Sequence, residues 1–134
     1  MSIIIGIFFI LHGLVHFLYF GQSTRFFKLQ PHMQWPDNSW LFAPFFGKKA
    51  VRVFAGNFCI FAGIGFIVSA ITVFARHSNW YFLAVGSAVF SSFLYLVFWN
   101  GKYEKLNDQG AIAIAINFFI AIGILIFHWP QLNF

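Results

Sequence analysis

SIIIGIFFILHGLVHFLYF, residues Ser2–Phe20, runs for nineteen positions without a charged side chain. A helix rises ~1.5 Å per residue, so about 20 apolar residues cross the hydrocarbon core of a bilayer. Working outward, three further stretches have the same character: Val51–Phe74, Tyr81–Trp99 and Ala111–Trp129. Backbone polar groups in lipid must be satisfied internally, which leaves helices or closed barrels. Continuous apolar runs without strict alternation select helices. The sequence therefore predicts an all-α polytopic membrane protein: a four-transmembrane-helix up-down bundle, with residues 1–134 as a single membrane domain. The first stretch has no basic leader and no small-x-small cleavage site after it, so it reads as a retained span.

Composition agrees. Of 134 residues, 60% are hydrophobic and 22 are Phe, against 8 Lys and Arg and 3 Asp and Glu. That balance excludes an ordinary soluble domain. The net charge of +5 is distributed for a membrane, not for nucleic acid. Arg25, Lys28, Lys48, Lys49, Arg52, Lys102 and Lys105 fall at or beside the first and third connections, and only Arg76 falls in the second. Positive charge marks the cytoplasmic side, so both termini are expected outside. Trp35, Trp40 and Trp99 then mark the inner interface, and Trp80 and Trp129 the outer one. Membrane lipids, anionic heads included, are the expected partners of the basic residues. The one cysteine, Cys59, excludes an intrachain disulfide.

The second and third connections are short, so helices 2, 3 and 4 are expected to be sequential antiparallel neighbours. The first, residues 21–50, is long and rich in Pro and aromatic residues, and reads as an interfacial segment or as a lid over a cavity. Within it Asp37 or Ser39 is placed to N-cap a short helix that Pro44 and Gly47 would break. Asn57-Phe58-Cys59-Ile60-Phe61-Ala62-Gly63 parallels Asn117-Phe118-Phe119-Ile120-Ala121-Ile122-Gly123. Two hairpins related by an axis along the membrane normal would account for it.

Counting depth brings polar side chains of all four helices to one level of the basic half: His16, Asn57, Ser91, Ser92, Tyr95 and Asn117. His12 and Cys59 lie slightly deeper. Two readings stay open. The groups hydrogen-bond between helices and specify packing, or they line a polar pocket opening toward the basic end. His12 and His16 share one helix face and cannot occupy opposite axial positions of one haem iron, and no third histidine lies at their depth. Zinc or copper on His12, His16 and Cys59 has permissible ligand types, but no carboxylate at that depth supports it. No metal is therefore assigned, and no cofactor is specified. Phosphate-loop, zinc-protease and nucleophile-elbow motifs are absent. The acids Asp37, Glu104 and Asp108 all lie in connections; Glu104 and Asp108 read as solvated, and Asp37 as the acid nearest a pocket mouth.

His12-Gly13-Leu14-Val15-His16, Trp35-Pro36-Asp37-Asn38-Ser39-Trp40 and Phe98-Trp99-Asn100-Gly101, followed by Leu106, Asp108, Gly110 and Ile116-Asn117, resemble a family of small four-helix bacterial and archaeal integral membrane proteins. In architecture the chain is also similar to DoxX-like proteins. The resemblance implies topology and a prokaryotic plasma membrane, and no chemistry. Relatives often carry Asp where this chain has Asn100. The functional expectation is a membrane protein binding a lipid-like or quinone-like molecule through His12, His16, Asn57, Ser91, Ser92, Tyr95 and Asn117. The alternatives are an accessory subunit of a larger membrane complex or a homo-oligomeric transporter; an enzyme would lack an identifiable nucleophile.

Overall fold

The structure, a computed structural model, describes residues 1–132 and 134. Its elements are α1 (Ser2–Thr24), α2 (Ala43–Phe74), α3 (Trp80–Val97) and α4 (Ala111–Leu125), with a 3₁₀ turn at Leu106–Gln109 leading into α4. There is no strand among the described residues. α1, α2 and α3 are each long and apolar enough to cross a membrane, and α4 is a shorter apolar helix. α1 packs on α2, α2 on α3 and α3 on α4.

The helix ends differ from the sequence expectation for local reasons. α1 continues four residues past Phe20 because Gly21, Gln22 and Ser23 are buried. It stops at Arg25, whose left-handed φ of 65° turns the chain. α2 starts at Ala43, not Val51. Ser39 prepares that start: its Oγ accepts the Phe42 N–H at 3.1 Å and its carbonyl accepts the Ala43 N–H at 3.1 Å. Pro44 falls in the first turn of α2, where a missing N–H is harmless, so it opens the helix instead of breaking it. Gly47, at φ 75° and ψ 165°, does break it and kinks α2 one turn in. α4 ends at Leu125, four residues short of Trp129, since His128 takes a φ of 48° ahead of Pro130.

Glycine sets the closest helix approach. A Cβ on Gly13 would lie 2.9 Å from the Gly63 carbonyl oxygen, and one on Gly63 would lie 3.0 Å from that of Gly13. Small residues at such crossings let van der Waals packing replace the hydrophobic drive that lipid removes. Two apolar clusters fill the interior. One, toward the termini, includes Ile5, Phe9, Phe66, Val73, Trp80 and Ile124. The other, toward the basic end, includes Trp35, Val51, Cys59, Leu94, Tyr95 and Phe98. Outward-facing Ile4, Leu11, Phe61, Phe82 and Phe93 are exposed, as suits a surface solvated by acyl chains.

Candidate functional site

Four of the polar residues singled out by depth meet between the two apolar clusters. His12 Nε2 lies 2.8 Å from Asn117 Oδ1, and Asn117 Nδ2 donates to Ser91 Oγ at 2.8 Å. His16 Nε2 lies 2.6 Å from Ser91 Oγ, and His16 Nδ1 lies 2.9 Å from the His12 carbonyl oxygen. The chain of bonds closes on itself and ties α1, α3 and α4 together. α2 adds Phe66, whose ring centroid lies 4.5 Å from that of His12 and 5.4 Å from that of His16.

Donor and acceptor roles follow from chemistry. A carbonyl only accepts, so His16 Nδ1 carries a proton and donates to His12. No acid shares this layer, the three acids all lying in the connections, and a neutral imidazole then leaves Nε2 to accept the Ser91 O–H. The Ser91 oxygen accepts from Asn117, and Asn117 Oδ1 accepts the His12 Nε2–H. Every step has one donor and one acceptor. The ring is thus saturated except at His12 Nδ1, which has no partner among the described residues.

The remaining residues of the expected set fall elsewhere. Asn57 is exposed: the buried stripe of α2 runs through Ala55, Cys59, Ala62, Phe66 and Ala70, and a residue two places from it is turned about 200° away. Asn117, its counterpart in the apparent repeat, is buried, so the two hairpins do not use their shared Asn alike. Ser92 donates to the Ala88 carbonyl of its own helix at 2.9 Å. Tyr95 is buried beside the ring, its centroid 5.9 Å from that of His16, but its hydroxyl finds no hydrogen-bond partner. Cys59 is buried and free. Among the described residues no group of three or more His, Cys, Asp or Glu converges as a metal site.

Tyr95 leads from the ring toward the basic end. Its ring, that of Tyr19 and that of Trp35 form a triangle with centroids 5.2 to 5.5 Å apart. Trp35 belongs to the first connection, which is clamped to all three neighbouring helices. Gln22, fully buried, donates to the Met33 and Trp35 carbonyls and accepts the Leu29 N–H. Asp37 pairs with Arg25 and sits 3.8 Å from Arg52, so it joins α1 to α2 and caps nothing. Ser39 Oγ donates to the Val97 carbonyl at 2.6 Å. The Trp40 indole N–H reaches the Leu96 carbonyl at 2.8 Å, and the Trp40 backbone N–H reaches that of Trp99 at 2.7 Å. Ser39 and the Trp40 indole thus satisfy the Val97 and Leu96 carbonyls, which the end of α3 leaves open.

Across from this clamp lies the third connection. Gln109 braces it, accepting the Asn100 N–H and donating to the Glu104 carbonyl. Gly110, at φ 91°, lets it lie flat on the Tyr95 ring, where a Cβ would come within 2.3 Å. Between the two connections is a cleft of about 540 Å³ whose walls include Trp35, Asn38, Phe98, Lys102, Glu104 and Asp108. The Trp35 indole N–H and Asp108 Oδ1 are buried there with no hydrogen-bond partner. Such unpartnered groups cost about 1–3 kcal/mol each. The sequence alone marks Trp35 as an interface residue and Asp108 as a solvated charge. The one signal that joined them was their common membership of the motifs in the family resemblance.

The fold and its lipid-facing surface define a helical integral membrane protein. In comparisons with known proteins, no family model, no curated protein and no solved structure matches the chain.

Proposed function

We propose that this protein binds an amphiphilic, lipid-like or quinone-like molecule by its polar head in the cleft between the first and third connections. The saturated ring serves as the spine that sets the helices beneath it. One observation carries the reading: a buried donor, Trp35 Nε1, and a buried acceptor, Asp108 Oδ1, lie unpartnered in the walls of one cleft. The two histidines, engaged with each other and with Asn117 and Ser91, have little left to offer a ligand head. The cleft sits at the end carrying seven of the eight Lys and Arg residues, which supports a cytoplasmic cleft with both termini outside. α4, extended by the apolar Ile126 and Phe127, is the fourth crossing. The motifs in the clamp and the third connection support membership of the small four-helix prokaryotic family and a place in the plasma membrane.

Native mass spectrometry of the protein released from its membrane tests this. A small amphiphile should be retained by wild type and by a His12→Ala/His16→Ala variant that still folds, and lost from Trp35→Phe. Loss from the histidine variant with retention by Trp35→Phe would return the site to the ring.

A second reading, a subunit of a homo-oligomer or larger complex, is favoured by Asn57. Its carboxamide is exposed on a spanning helix with no partner among the described residues, and a polar group on such a face is commonly satisfied by another helix. Mass measurement in detergent, with Asn57→Leu beside wild type, tests it: an unchanged monomer in both removes this reading.

A further inference from the structure

We infer that the cleft is selective for a phosphoethanolamine head, a phosphate diester bearing a primary ammonium. This rests on the ligand-binding reading above and names the chemistry that reading leaves general.

The first argument is complementarity. Two residues of the cleft wall carry buried unpartnered groups, a donor on Trp35 and an acceptor on Asp108. Trp35 is only 3% exposed, so water does not readily serve its N–H. A ligand that satisfies both must offer an acceptor and a donor together. Quinone carbonyls only accept and leave Asp108 alone. A choline head has phosphate oxygens for Trp35 but no N–H for Asp108. An ammonium has three N–H donors and a positive charge, and its bond to a carboxylate is of the stronger, charge-assisted kind.

Charge is the second argument. Lys102 and Lys105 face the cleft with Glu104 and Asp108, two cationic and two anionic side chains. These four charges sum to zero, which suits a net-neutral dipolar head over an anionic phosphoglycerol one. Lys105 also borders an adjoining recess that holds Lys28, so the phosphate belongs on that side and the ammonium beside Asp108.

Position and size agree. The cleft begins at Phe98, directly after the last residue of α3, with Trp40 and Trp99 beside it, and tryptophans of this kind lie at headgroup level. Its volume of about 540 Å³ falls within the range of about 300–1,000 Å³ usual for small-molecule sites. Both orphaned atoms are shielded from water, so binding at them requires the cleft wall to yield to the head.

The experiment uses the full chain in detergent, incubated with an equimolar mixture of dioleoyl phosphatidylethanolamine, phosphatidylcholine, phosphatidylglycerol and a ubiquinone, and read by native mass spectrometry. The expected result is a one-to-one phosphatidylethanolamine adduct, retained about tenfold over the other three. Trp35→Phe keeps the ring and removes the N–H, and should lower that adduct about tenfold. Asp108→Asn should abolish discrimination between the ethanolamine and choline lipids. Should Asp108→Asn fail to fold, Trp35→Phe decides alone. Soluble O-phosphoethanolamine in a parallel titration separates the sources: displacement of the lipid at comparable concentration means a free headgroup compound is the ligand, and no displacement means the lipid is. Equal retention of phosphatidylcholine, with the adduct still lost in Trp35→Phe, overturns the headgroup assignment while the cleft stays a ligand site; an unchanged adduct in Trp35→Phe overturns both. Retention of no amphiphile by wild type overturns both.

Discussion

Asn117→Leu is the most informative single change. The carboxamide accepts from His12 and donates to Ser91, both at 2.8 Å and both between helices. Interhelical hydrogen bonds inside membranes are worth about 0.6–2 kcal/mol each. The substitution removes two and strands the His12 N–H, which in an apolar interior costs a further ~1–3 kcal/mol. Leucine keeps four side-chain heavy atoms, so no cavity adds to the loss. Since the stranded group and the lost bond overlap in part, the expected destabilisation is about 2–4 kcal/mol. Ser91→Ala also breaks two bonds, to Asn117 and to His16, and should cost about 2 kcal/mol. The two changes share the Asn117–Ser91 bond, so the double variant should fall short of their sum by about 1 kcal/mol. Reversible unfolding in mixed micelles of dodecylmaltoside and dodecylsulfate measures all three. Asn57→Leu, the matching change in the apparent repeat, should not destabilise the monomer. An Asn117→Leu variant as stable as wild type, or strict additivity with Ser91→Ala, would refute the ring as the packing spine.

The other predictions follow from the same geometry. Nitrogen-15 spectra should show two different neutral tautomers, His16 protonated at Nδ1 and His12 at Nε2; matching tautomers would break the donor and acceptor order of the ring. Ser39→Ala loses bonds to the Val97 carbonyl and the Phe42 N–H and should cost about 1–3 kcal/mol, with faster amide exchange at the start of α2; unchanged exchange would deny Ser39 its bridging role. Gly13→Ala forces a methyl group against the Gly63 carbonyl and should destabilise by about 1–3 kcal/mol. Gly86→Ala meets nothing within 4 Å and should be neutral or stabilise by up to ~1 kcal/mol; if the two behave alike in the same unfolding assay, the glycine crossing does not set the α1–α2 distance.

Linear reading reached the helices and a band of polar groups because both depend on quantities the chain carries locally. Length and charge-free character decide whether a segment can span, and 1.5 Å per residue converts position to depth. That was enough to bring His16, Ser91 and Asn117 to one layer, with His12 slightly deeper. Depth is not direction, however. Asn57 and Asn117 open stretches that match at four of seven positions, yet one faces outward and one inward, because rotation about the helix axis is set by which neighbour the small residues admit. Asp37 and Ser39 show the same limit at helix ends. Capping rules found two candidates, but the partners that claimed Asp37, Arg25 and Arg52, come from two different helices.

By itself the sequence determined an all-helical chain with segments able to span a bilayer, its basic end and the residues available for polar contact. Only the tertiary structure decided that the histidines close a ring with Asn117 and Ser91, open only at His12 Nδ1, and that further buried open valences fall on Trp35, Asp37, Tyr95 and Asp108. The reason is physical: hydrogen-bond satisfaction is a property of pairs. The partners that close the ring lie as far as 105 residues apart in the chain, and none of the described residues supplies those that would complete Trp35 and Asp108.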